Sequence, residues 1–234
     1  MEWGGVVMPD IMKVYSIFPS INGEVCHRNQ GSFCTFIRFA GCTIACPYCD
    51  TKYANSPASG TDMSIHDIMV RVIALGNKNI TITGGEPLQQ DMKKLTLLIR
   101  ALAIEGFYIS IETSGEVPFR APSLGLAGLA TFVVDIKLGK KHSLPIKHYH
   151  EMCLSHKDYF KFVIGSLYDM DRAIWYKQQL QVLGCKARFA FSPMEGGTIT
   201  AKELVLLIDK YRLEDVVLNI QLHKIIALEE DQDL

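Results

Sequence analysis

The chain has 234 residues, of which 48% are hydrophobic and 21% charged, and its formal net charge is -1. That balance describes a globular protein with enough apolar surface for a sizeable core and excludes a disordered or fibrous chain. Near neutrality also removes the electrostatic footprint of a nucleic-acid or anionic-membrane binder. Lys140, Lys141, His142, His148 and His150 are too diluted by apolar residues to supply a local one.

At the start of the chain Glu2 stands where a secretory leader would be basic, and no apolar stretch with a small-residue cleavage site follows. The expectation is a soluble protein of the reducing cytoplasm. The longest uncharged run, 121–134, is interrupted by Pro122, Gly125 and Gly128 and is too short to span a bilayer. Strands are expected at 33–40, 79–83, 108–112, 131–136, 159–164, 187–191 and 216–220. Helices are expected at 65–75, 92–103, 170–183 and 201–211. Ser64 with Asp67 and Thr200 with Glu203 have the spacing of helix-capping pairs. Residues 120–129, rich in Gly, Pro and Ala, read as a loop or a poor helix. The alternation predicts an α/β fold around a mainly parallel sheet, with residues 1–234 forming one domain. The polar residues at 83–87, 112–115, 135–137, 192–195 and 221–224 fall just after strands, where a parallel fold gathers them on one face.

Three of the seven cysteines crowd into GCTIACPYCDT at 41–51, spaced Cys-x3-Cys-x2-Cys as Cys42, Cys46 and Cys49. A structural zinc site wants four closed ligands, whereas a 4Fe-4S cluster held by three thiolates keeps one iron open to an outside ligand. Cys26, Cys34, Cys153 and Cys185 lie apart from these, and each is expected to be a small buried apolar residue. TITGGEP at 81–87 places two glycines at a strand end, where backbone can approach a ligand closely.

The cysteine spacing, with Tyr48 before the last thiol and GGEP downstream, resembles the signature of the radical S-adenosylmethionine superfamily. The resemblance implies a partial (β/α)6-type barrel. It also implies that the open iron chelates S-adenosylmethionine and that electron transfer then yields a 5'-deoxyadenosyl radical. Tyr48, Cys49, Asp50, Gly85, Ser114, Asp135, Lys137, Ser192 and Glu195 become the expected cofactor contacts. Read without the resemblance, Ser114 is a helix cap and Asp135 with Lys137 a solvated ion pair.

FPSINGE at 18–24, FIRFAGCTIACPYCDT at 36–51, KFVI at 161–164, SPMEGG at 192–197 and NIQLHKII at 219–226 further resemble the 7-carboxy-7-deazaguanine synthases. These enzymes take 6-carboxy-5,6,7,8-tetrahydropterin to 7-carboxy-7-deazaguanine with loss of ammonia, on the route to queuosine. The resemblance implies substrate contacts from Ile21, Asn22, Gly23, Glu24, Arg38, Thr83 and His223. It further implies Mg2+ at Thr51 beside the substrate carboxylate, a flavodoxin- or ferredoxin-type electron donor, and a homodimer. Asn22 stands where the family has Gln, one methylene shorter. Arg38 offers a planar fork suited to a carboxylate, or else a strand-edge salt bridge. Thr51 alone reads as a turn residue and His223 as a structural histidine. Two alternatives remain at this point: a glycyl-radical-enzyme activating protein, and a non-enzymatic iron-sulfur or zinc module that would ignore S-adenosylmethionine.

Overall fold

The computed structural model describes residues 10–44, 46, 49–138 and 144–226. Tyr48, Lys140, Lys141 and His142 lie outside them. One nine-stranded sheet, in the order β3-β1-β2-β4-β5-β6-β7-β8-β9, organises the chain. Seven strands run parallel: β2 (Phe33–Phe39), β4 (Asn79–Gly84), β5 (Tyr108–Thr113), β6 (Ala130–Ile136), β7 (Tyr159–Ile164), β8 (Arg188–Pro193) and β9 (Val216–Leu218). The sequence places all seven within a few residues. It misses β1 (Ile11–Ile21) and β3 (Thr61–Ser64), which add an antiparallel pair beside β2. The sheet does not close, so the architecture is the expected α/β partial barrel.

Helices α1 (Ile65–Leu75), α2 (Met92–Ile104), α4 (Leu167–Val182) and α5 (Ala201–Lys210) correspond to the four expected from periodicity. Both predicted capping pairs form reciprocal boxes, Ser64 with Asp67 and Thr200 with Glu203. Helix α4 begins three residues earlier than predicted, because the Ser166 hydroxyl accepts from the Asp169 amide and caps it there. Two short helices, α3 (Ile146–Glu151) and α6 (Leu222–Ile225), are additional. As expected, residues 120–129 hold only a one-turn helix at Ala121–Leu124.

Strand pleat decides which residues meet the helices and which line the barrel. Ile80 and Ile82, Ile109 and Ile111, Phe132 and Val134, Phe160 and Phe162, and Phe189 and Phe191 alternate into the core with α2 residues Leu95, Leu98, Ile99 and Leu102. Their neighbours face inward. Low in the barrel these are apolar, with Val133, Tyr159 and Ala190 packing on Val25 and Cys26. At the C-terminal strand ends they turn polar, with Arg38, Thr83, Glu112, Asp135 and Ser192 lining a cleft. Cys26 and Cys34 are buried as expected, but Cys185 is only half-buried against the core and Cys153 is exposed. Cys153 occupies a left-handed conformation (φ 53) just beyond α3, which turns it out to the surface.

Leu98 is fully buried at the centre of the α2 face. Leu98→Ala should lower stability by about 2–5 kcal/mol, read from the denaturant midpoint, because the closed core cannot refill the space.

Candidate active site

The cysteine loop leaves β2 at Gly41 and is held from two sides. The Gly41 and Cys42 amides donate to Ala54 and Asn55 carbonyls at 2.8 and 2.9 Å. Gln89 grips the loop with both ends of its amide, accepting from the Thr43 N–H at 3.0 Å and donating to the Thr43 hydroxyl at 2.6 Å, while Gln90 donates to the Ala40 carbonyl at 3.0 Å. These glutamines come within three residues of GGEP, so the turn after β4 and the cysteine loop are built as one unit.

The glycines are what allow it. Gly84 has φ +125, and a Cβ there would overlap the Phe39 backbone; a Cβ on Gly85 would overlap the Gly41 carbonyl. Into that close approach the Gly85 and Glu86 amides donate to Phe39 and Gly41 carbonyls, each at 2.9 Å. The Glu86 side chain, 1% exposed, accepts from the Leu88 amide, the Thr113 hydroxyl, and the Ser114 amide and hydroxyl at 2.6 to 3.0 Å. It thus ties the shelf after β4 to the end of β5, and Ser114 serves that tie as well as lining the cleft.

Cys42, Cys46 and Cys49 all face the cleft. Burial pushes the Cys42 and Cys46 thiols up, with Lys137 acting against it at both. The Cys42 sulfur receives the Ile44 amide at 3.4 Å, a bond that favours thiolate. Among the described residues no three His, Cys, Asp or Glu side chains converge as a single ion requires. Three soft thiols on one loop, each able to take a separate iron, fit a cluster, and the adjoining Gly84–Gly85 backbone leaves room beside it. Thr51 Oγ1 lies 3.6 Å from the Cys49 sulfur.

Across the cleft, the two ends of the chain meet. The Leu222 amide donates to the Gly23 carbonyl at 3.0 Å, and the His223 ring packs where a Gly23 side chain would be. Gln221 donates to Glu24 Oε1 at 2.7 Å, and buried Asn219 accepts from the Val25 amide at 2.7 Å while donating to the Ser192 hydroxyl at 3.0 Å. Arg38, 3% exposed, pairs in register with Thr83 on the next strand, and its guanidinium lies 5.7 and 5.8 Å from the Phe18 and Tyr53 rings. Asp135 is pushed up to about 6 by burial, against Lys137 at 3.7 Å and with Asp50 and Glu86 adding to the rise.

One cleft of about 1390 Å³, counted to its open mouth, therefore gathers the three cysteines with Asp50, Thr51, Gly85, Ser114, Asp135, Lys137, Ser192 and Glu195. Ile21, Gly23, Glu24, Arg38, Thr83 and His223 line it too. Asn22 is not brought in. Its amide points below the loop, donating to the Thr81 hydroxyl at 3.3 Å, and its backbone pairs with Gly31 and Ser32. Sequence reasoning did not assign Glu112, Lys161, Gln221 or Lys224, all of which line the cleft. Glu112 and Lys161 carry a signal, being lone charges at inward positions of apolar strands. Gly85→Ala should force the Gly41–Cys42 backbone away and lower iron per chain after reconstitution by about half or more, with unchanged far-ultraviolet dichroism. Full iron loading would show that the close approach is dispensable.

A model of the Radical SAM superfamily matches residues 36–164. The 7-carboxy-7-deazaguanine synthase of Clostridium acetobutylicum is 36% identical over 92% of this chain and 95% of its own length. The enzyme of that name from Methanospirillum hungatei is 31% identical over 93% of this chain and 86% of its own. Among solved structures, QueE from Escherichia coli superposes with a TM-score of 0.67 at 21% identity, covering 90% of this chain and 94% of that one, a likeness of fold. The cleft built on three cysteines and a glycine shelf thus sits in a chain that belongs to the radical S-adenosylmethionine superfamily and, within it, to the 7-carboxy-7-deazaguanine synthase family.

Proposed function

We infer that this protein is an enzyme that contracts the ring of 6-carboxy-5,6,7,8-tetrahydropterin to 7-carboxy-7-deazaguanine, releasing ammonia. The observation that carries the reading is full-length relatedness to synthases of that name, in a chain whose cysteine loop, glycine shelf and polar strand ends share one cleft. Loss of ammonia alone balances substrate and product, so the conversion is redox-neutral overall.

A 4Fe-4S cluster with S-adenosylmethionine, the cofactors of this superfamily, would supply the radical chemistry. Cys42, Cys46 and Cys49 would hold the cluster. Gly85, through its carbonyl, with Asp50, Ser114, Asp135, Lys137, Ser192 and Glu195 lining the same cleft, would orient S-adenosylmethionine. In the same cleft Arg38, 3% exposed, would pair with the substrate carboxylate, a match of planar fork to planar acceptor in a nearly water-free setting. Glu24 and His223 would meet the pterin ring, with Ile21 and Gly23 shaping the backbone beside it and Thr83 closing the floor. Thr51 would give one oxygen to a Mg2+ otherwise held by the substrate carboxylate and water, in keeping with the few protein ligands that ion usually takes. No side chain acts as nucleophile; the chain's contribution is orientation and the exclusion of water.

The chain acts as one domain in this reading, supported by its single sheet. The homodimer, the flavodoxin- or ferredoxin-type donor and the cytoplasmic setting follow from the family resemblance, and the seven unpaired cysteines suit a reducing compartment. Among the described residues no helix is long and apolar enough to cross a membrane.

Anaerobic incubation of reconstituted protein with dithionite, S-adenosylmethionine, Mg2+ and the carboxytetrahydropterin should give the deazaguanine chromophore. Free 5'-deoxyadenosine without that product would sink the substrate assignment and spare the superfamily. Cys46→Ala should lose both the cluster colour and turnover. Chelating Mg2+ should slow the intact enzyme by about tenfold, and Thr51→Val should be slow with or without the ion; equal sensitivity in the two would remove Thr51 from the metal site.

A further inference from the structure

Lys161 stands outside every role assigned above. It lies in the middle of β7 between Phe160 and Phe162, which pack toward the helices, so the pleat turns its side chain into the cleft with 6% exposure. Its ammonium pairs with Glu24 Oε2 on one side and lies 2.9 Å from Asp135 Oδ1 on the other. The second Glu24 oxygen accepts from Gln221, and the second Asp135 oxygen is 3.7 Å from Lys137. One buried cation is therefore shared by two carboxylates from different elements, Glu24 from the segment after β1 and Asp135 from β6.

Burial, with Lys224 acting in the same direction, pushes Lys161 down to about 7, and burial pushes Asp135 up. The contacts oppose both changes, because the ammonium relieves two carboxylates that would otherwise repel and desolvate one another. With that cation removed, one carboxylate must take up a proton or move.

We propose that Lys161 is a positioning residue for the reaction, holding the Glu24 carboxylate toward the pterin and tying it to Asp135, so that the substrate and S-adenosylmethionine subsites are kept in register. The proposal rests on the function inferred above. A pterin presents N–H donors on its exocyclic amine and ring, and a carboxylate oxygen in fixed orientation accepts from one of them. Glu24, gripped by Gln221 at Oε1 and by Lys161 at the fully buried Oε2, has lost the freedom to rotate, and Oε1 is the oxygen left to meet a ligand. Because the same ammonium contacts Asp135, displacement at one subsite is felt at the other. A hydrogen atom transferred between two bound molecules tolerates little misplacement.

Lys161→Met keeps length and removes charge. Holoenzyme carrying it should bind the carboxytetrahydropterin at least about tenfold more weakly by anaerobic calorimetry, raise KM more than it lowers kcat, and release about tenfold more free 5'-deoxyadenosine per product. In a Glu24→Gln background the same change should add less than about twofold, since Lys161 acts through that carboxylate. Unchanged affinity and coupling in Lys161→Met, or losses that multiply in the double variant, overturn the proposal while the wild-type product assay still stands. Wild-type protein that fails to bind the pterin overturns both. Should Lys161→Met not fold, Glu24→Gln alone tests the tie from its other end. A change of about threefold or more in S-adenosylmethionine affinity supports it, and an unchanged affinity overturns it.

Discussion

The candidate site depends on the backbone pairing of Gly84–Glu86 with Phe39–Gly41. Two hydrogen bonds of 2.9 Å lock the end of β4 onto the end of β2, in a space that admits no Cβ. From that contact the rest follows in sequence. Glu86 is delivered to the end of β5, Gln89 and Gln90 reach back over the cysteine loop, and Cys42 leaves the strand at a fixed place. A turn that is short, glycine-rich and followed by polar residues serves two ends at once: it shapes the loop that would carry iron and lines the cleft beside it.

Much of this was written in local pattern. Ile-Thr-Ile-Thr at β4 alternates core and cleft, and all seven parallel strands were legible because each carries such alternation or a run of β-branched and aromatic residues. Helix α1 was legible to the residue because Ser64 and Asp67 close a box at its start and Gly76 takes the left-handed conformation at its end. The misses have equally local causes. Strand β1 carries Lys13, Ser16, Pro19 and Ser20, which read as non-strand. Its neighbour β3 pairs only with Ile11 to Val14, so Pro19 lies beyond it and its missing donor costs no ladder bond on that side. Helix α6 spans four residues, too few for any period to show.

The site itself was legible only in part, for a different reason. The cysteines and GGEP are contiguous motifs, so their chemistry can be read along the chain. The charge arrangement cannot. Lys161 in YFKFVI stands out only as a lone charge in an apolar strand, with nothing local to name Glu24 and Asp135 as its partners, and Ser114 looks like a cap until Glu86 arrives. Asn22 shows the converse: it sits within the segment that faces the cleft, yet its own side chain turns down to Thr81. Residue type announced a polar contact there, and only backbone direction decides with what.

The long-range pairs explain how an unclosed sheet can still enclose a reaction. Strands β3 and β9 leave a gap between them that no further strand among the described residues fills. The segment after β1 crosses toward β9 instead, where Val25 binds Asn219, Gln30 binds the Ile220 carbonyl and Glu24 binds Gln221, contacts separated by 190 residues or more in sequence. Contacts of such separation form late, after the intervening β-α units have fixed the distance between them. The proposed pterin subsite is made largely of these contacts, whereas the proposed cluster site is made of neighbours along the chain. The shape of the proposed substrate end thus depends on completion of the whole sheet, through contacts that no single β-α unit supplies.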